Sequence, residues 1–153
     1  MNPTAVPAPD TQFNFAAHLL ARNHARAGRT AFIDDRGSLS YGELDARVRA
    51  MAAALRRAGI RREERVLLLM HDCNDWPVSF LGALHAGIVP VAVNTLLTAD
   101  DYAYMLQHSR AQVALVSAAL PSVLMLNDWA EPVFAIKNST TQNRSFCFIV
   151  FVK

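Results

Sequence analysis

At 153 residues the chain fits one domain, large enough to bury roughly 68–70% of the surface its unfolded form exposes. A composition 52% hydrophobic and 18% charged excludes disorder, and a formal net charge of +2 gives no footing for nucleic acid or an anionic membrane. The two cysteines, Cys73 and Cys147, lie far apart and read as reduced thiols of a cytoplasmic protein, not as a disulfide framework.

Residues 1–12 read as a flexible leader; the first nine lack both a basic residue and an apolar run, so no secretion signal is expected. No apolar stretch approaches the roughly 20 residues that span a bilayer. Asn14 is placed to cap a helix over 15–27, closed by Gly28 in a left-handed conformation. Thr30–Asp34 and 38–40 flank the turn signal Asp35-Arg36-Gly37 and predict a hairpin. Ser40 and Glu43 have capping-box spacing, and Leu44, Val48, Met51 and Leu55 follow on one helical face that ends at Gly59.

Residues 66–70 form a continuous apolar run, the pattern of a parallel strand covered on both faces. Asp75 is expected to cap the next helix, with Pro77 in its first turn, running to about Ala86 and closed by Gly87. Residues 88–93 predict a strand whose Pro90 argues for an edge or a bulge. Thr98 and Asp101 make a second capping box for a helix to about His108, and 112–116 is the next strand. The order from Arg65 onward, β-α-β-α-β, implies right-handed crossovers and a layered α/β sheet. The expected core includes Leu44, Val48, Met51, Leu55, Val66, Leu68, Leu81 and Val91.

Constellations that could carry chemistry are weak. Gly82 and Gly87 have the glycine spacing of a phosphate loop, but Ile88-Val89 follow where lysine and a hydroxyl are required. Close helix packing at Gly82 and a helix end at Gly87 explain them better. His71, Asp72, Cys73 and Asp75 crowd the carboxyl end of a buried strand, where open α/β sheets bind ligands, yet match no zinc or calcium pattern. His85 reads as a surface or half-buried histidine. The arginines from Arg56 to Arg65 are interrupted by Glu63-Glu64 and have no interleaved aromatics, as in a solvated helix end and turn.

Composition shifts near the end. Every lysine or arginine before position 137 is arginine, whereas Lys137 and Lys153 both fall in the last seventeen residues. A polar stretch from Lys137 to Arg144 precedes the apolar, β-branched run Phe146 to Val152, the profile of an exposed, aggregation-prone strand. Residues 121–153 are therefore expected to stand apart from the domain formed by 13–120.

Two stretches carry a resemblance. Leu39-Ser40-Tyr41-Gly42-Glu43-Leu44 resembles the opening motif of the acyl-adenylating enzymes, which include the AMP-forming acyl-CoA synthetases. Leu84 to Asn94, with its helix end, glycine and proline-containing strand, resembles that family's second core motif. Phe13 to Leu20 and Asn94 to Thr98 are most similar to benzoate-CoA ligases. The likeness implies a partial layered α/β sheet with flanking helices, the first part of the large amino-terminal domain of an AMP-forming ligase. It also implies a parent reaction that uses ATP, magnesium and CoA to turn an aromatic carboxylate into an acyl-adenylate and then a thioester. In that family both matched motifs are structural, and the phosphate loop, nucleotide-binding segments, acyl pocket and catalytic lysines come later. No catalytic, cofactor-binding or metal-ligating residue is therefore assigned. Three readings stay open: an inactive piece of an aryl-CoA ligase, a non-catalytic interaction module, or one half of a split ligase whose partner is a separate carboxyl-terminal chain.

Overall fold

In the computed structural model, which describes residues 8–117, Leu120 and the backbone of Cys147–Phe151, side-chain oxygens set most helix starts. Helix α1, Phe15–Asn23, begins where Asn14 Oδ1 accepts from the Ala17 amide at 2.9 Å. It is shorter than the sequence suggests. Asn23 Nδ2 donates to the Leu19 carbonyl at 2.7 Å, a side-chain competitor for backbone pairing, and a 3-10 turn, His24–Arg26, follows. Gly28 is consequently not left-handed, against expectation, because that turn already supplies partners for the last carbonyls.

The hairpin forms as read: β1, Thr30–Asp34, pairs antiparallel with β2, Gly37–Ser40, and Gly37 takes φ +135° at the turn. Helix α2, Tyr41–Arg57, opens on the complete capping box, with Glu43 N–H donating to Ser40 Oγ and Ser40 N–H to Glu43 Oε2.

The main sheet has the order β4-β3-β5-β6. Strand β3, Arg65–Leu69, lies between parallel partners β4, Val89–Ala92, and β5, Ala111–Ser117. Pro90 stands on the edge strand, where its missing amide interrupts no ladder, as its position in the sequence predicts. Helices α3, Asp75–Ala86, and α4, Ala99–Ser109, make the crossovers. The second capping box, Thr98 with Asp101, is present. Arg110 takes a left-handed φ of 53° after α4.

Asp75 is not the cap it was expected to be. Asn74 occupies the cap position without a side-chain bond to the helix, and the Asp75 carboxylate, in the first turn, pairs with Arg47 of α2 instead. The negative charge still complements the helix dipole while tying α3 to α2.

Alternate residues of β3 serve opposite layers, which explains the unbroken apolar run. Val66 and Leu68 join Leu55, Ala83 and Ile88 on one face; Leu67 and Leu69 join Tyr102 and Leu106 on the other. A third cluster holds α1 and the hairpin through Leu20, Leu39, Leu44, Val48, Val78 and Leu81. Of the expected core, Met51 and Val91 are only partly buried, and the rest are buried.

Strand β6, Cys147–Phe151, runs antiparallel along β5, from Ser117↔Cys147 to Val113↔Phe151. The sequence reading set 121–153 apart from the domain; in the structure this segment of it closes one edge of the sheet. The remainder of that stretch lies outside the described residues. No helix among the described residues is long and apolar enough to cross a membrane.

Candidate functional site

The residues that the sequence singles out separate into framework and cleft. Gly82 and Gly87 belong to the framework: Gly82 lies against Met51 of α2, and Gly87 is the left-handed C-cap of α3 at φ +78°. The glycine pair is thus a helix contact and a helix end, as read.

The arginine run is also framework. Arg56 Nη2 donates to the His85 carbonyl at 3.1 Å, and Arg65 Nε donates to the Ser109 carbonyl at 2.7 Å. These two cations satisfy carbonyls at the carboxyl ends of α3 and α4, where the helix dipole favours positive charge. Arg61 pairs with Glu64, and Arg62 with Glu63. His85 is half-buried between α2 and α3. Burial, then the nearby Arg49 and Arg56, hold its pKa below the ordinary histidine value, with Asp45 opposing.

Both resembling motifs are structural in place as well as in pattern. In the first, Leu39 and Leu44 are buried, and the Arg26 guanidinium lies 5.3 Å from the Tyr41 ring centroid. The Gly42 amide donates to the Ala27 carbonyl at 2.8 Å. In the second, Asn94 begins a loop held by Tyr102, which is fully buried. Its hydroxyl donates to the Asn94 carbonyl at 2.9 Å and accepts from the Leu97 amide at 3.1 Å. Periodicity gave no sign of this clamp.

The carboxyl end of β3 is where the chain opens. His71 and Asp72 are exposed, and the His71 amide donates to Ser117 Oγ at 3.0 Å, tying the ends of β3 and β5 together. Cys73 is a half-buried free thiol. Among the described residues no group of three His, Cys, Asp or Glu could hold a metal ion. Asn74 fastens the hairpin to this loop: its amide donates to Asp34 Oδ2 at 2.9 Å and its Nδ2 donates to the Gly37 carbonyl at 3.0 Å. The Asn74 amide bond is the main reason the Asp34 carboxyl titrates below the usual carboxylate value.

Between the hairpin, α1 and α3 this junction leaves a cleft of about 560 Å³. Trp76 and Phe80 of α3, stacked with ring centroids 5.1 Å apart and 10° between planes, form one wall. Leu19, Phe32 and Ile33 form another, and Asp34, Asp35 and Asp72 bring carboxylates to it. Asp72 and Cys73 are the members of the predicted cluster that reach this cleft; His71 and Asp75 do not line it. The sequence reading missed the aromatic wall, although Trp76 and Phe80 stand one helical turn apart, a spacing that places them on one face.

Residues 19–145 match the family described as AMP-binding enzyme. A benzoate–CoA ligase of Thauera aromatica is 46% identical over 121 residues, covering 77% of this chain and 23% of that protein. A 4-hydroxybenzoate–CoA/benzoate–CoA ligase of Rhodopseudomonas palustris is 44% identical over 118 residues, 76% of this chain and 22% of the relative. The crystal structure of a benzoate CoA ligase from Burkholderia xenovorans LB400 superposes with a TM-score of 0.73 at 55% identity, over 74% of this chain and 23% of that one. The chain thus spans less than a quarter of the length of these relatives.

Proposed function

The chain belongs to the AMP-binding enzyme family, and from that premise we propose that it is the opening framework of a benzoate-CoA-ligase-like enzyme that is inactive by itself. The observation that carries this reading is the 46% identity to a benzoate–CoA ligase along a segment whose two family motifs serve as a helix cap, a helix end and an edge strand. The parent reaction would use ATP and magnesium to convert an aromatic carboxylate to an acyl-adenylate, and CoA thiol would then displace AMP. Such a reaction rests on positioning and on charge stabilisation at the α-phosphate. The described residues of this chain contribute to neither. They supply the sheet, with the ends of β3 and β5 tied by the His71–Ser117 bond, against which a ligase's remaining sequence would pack.

The proposal places the carboxyl-terminal portion of such a ligase, whether encoded separately or not, as the chain's natural partner, and a cytoplasmic setting goes with that chemistry. Benzoate-dependent pyrophosphate exchange tests it. The purified chain with benzoate, ATP and magnesium should show none above background, beside a His71→Ala, Asp72→Ala control for contaminants. Exchange that disappears in the control variant would mean that the carboxyl end of β3 is itself catalytic.

A further inference from the structure

The cleft between the hairpin and α3 carries charge of the same sign as benzoate, ATP or CoA, and so is unsuited to any of them. Its three carboxylates, from Asp34, Asp35 and Asp72, are accompanied by no lysine, arginine or histidine among the described residues that line it. Asp34 is held ionised by the Asn74 amide, so the negative charge persists at neutral pH. An anion brought here would meet like charge and find no cationic side chain among the described lining residues to offset it. The walls are aromatic and aliphatic, and the volume, about 560 Å³, falls within the range of small-molecule sites.

We infer that this cleft binds a small amphipathic cation, an ammonium group on an aromatic or short aliphatic body. The body lies along Trp76 and Phe80, burying apolar surface that the stacked rings leave open. The ammonium faces Asp35 and Asp72, both exposed, and is within reach of the electron-rich indole face. Asp34 plays a different part: both of its oxygens accept amide bonds, from Arg36 and from Asn74, so it shapes the cleft and contributes field. A concave pocket of this size suits a small molecule better than a basic polypeptide, which would require a longer acidic surface.

Cys73 supplies a reporter, since its free thiol lines the cleft. The test follows alkylation of Cys73 by iodoacetamide in the full chain, resolved by peptide mass spectrometry, with phenethylammonium, phenylacetate or 2-phenylethanol added. Phenethylammonium should slow labelling saturably and shift the Trp76 indole proton resonance, while phenylacetate should do neither. Asp35→Asn with Asp72→Asn should weaken the cation's effect by about 2–30-fold, as expected for two exposed charge pairs. Trp76→Leu should weaken it by about 2–5-fold. Equal protection by the neutral or anionic analogue would overturn the charge assignment. Absence of protection by the cation, with or without protection by an oligolysine peptide, would overturn the site.

Discussion

A Cβ added to Gly82 would lie 2.5 Å from Met51 Cγ and 2.7 Å from Met51 Cβ, so α3 crosses α2 where its own side chain is a hydrogen. Glycine inside a helix ordinarily costs about 1 kcal/mol relative to alanine. Here the contact dominates, because the obstructing atoms are the base of the Met51 side chain and cannot swing aside. Gly82→Ala should therefore destabilise the chain by about 1–3 kcal/mol in denaturant unfolding. Repeating it in a Met51→Gly background, which removes both obstructing atoms, should remove most of the added loss. A stabilising Gly82→Ala would mean the helices are farther apart than described.

Leu55 is fully buried beneath β3, with Val66 and Leu68 of that strand in the same cluster. Leu55→Ala should lower stability by about 2–5 kcal/mol, depending on how far α2 can collapse into the space. A change below about 0.5 kcal/mol, the size of a surface substitution, would remove that helix face from the core.

The Tyr102 hydroxyl serves two backbone groups of the loop after β4. Tyr102→Phe keeps the ring and leaves the Asn94 carbonyl and Leu97 amide without that partner. The expected loss is about 1–3 kcal/mol, accompanied by faster amide exchange at Leu97. Unchanged exchange there would show that the hydroxyl does not hold the loop.

His85 couples the fold to pH. Its folded pKa lies below the ordinary value of 6.5 because of burial and then of Arg49 and Arg56. In the unfolded chain the group binds its proton first as pH falls, so stability is complete above about 6.5 and declines below it. Unfolding midpoints should fall between pH 7 and pH 5, and His85→Gln should flatten that part of the profile. A midpoint rising as pH falls would reverse the sign assigned to His85.

Much of the fold is legible in the sequence because short-range chemistry decides it. Ser40 with Glu43 and Thr98 with Asp101 announce their helices, and the unbroken run in β3 announces a strand covered on both faces. What was illegible depends on partners distant in sequence. Asp75 has the composition of a cap but meets Arg47, 28 residues away, and Asn74 takes its place. The end of α1 is set by Asn23 turning back on Leu19, which helical periodicity does not encode. The cleft needs hairpin residues and α3 residues some 40 positions apart, joined through the Asp34–Asn74 bond, so neither stretch alone reveals it.

The most direct test of the central claim is a chimera in which residues 13–117 replace the aligned stretch of the Thauera aromatica benzoate–CoA ligase. If this segment is the framework of such an enzyme, the chimera should unfold cooperatively and keep benzoate-dependent pyrophosphate exchange within about tenfold of the parent, a barrier change of roughly 1.4 kcal/mol. A folded chimera with exchange at the no-enzyme background would contradict the account.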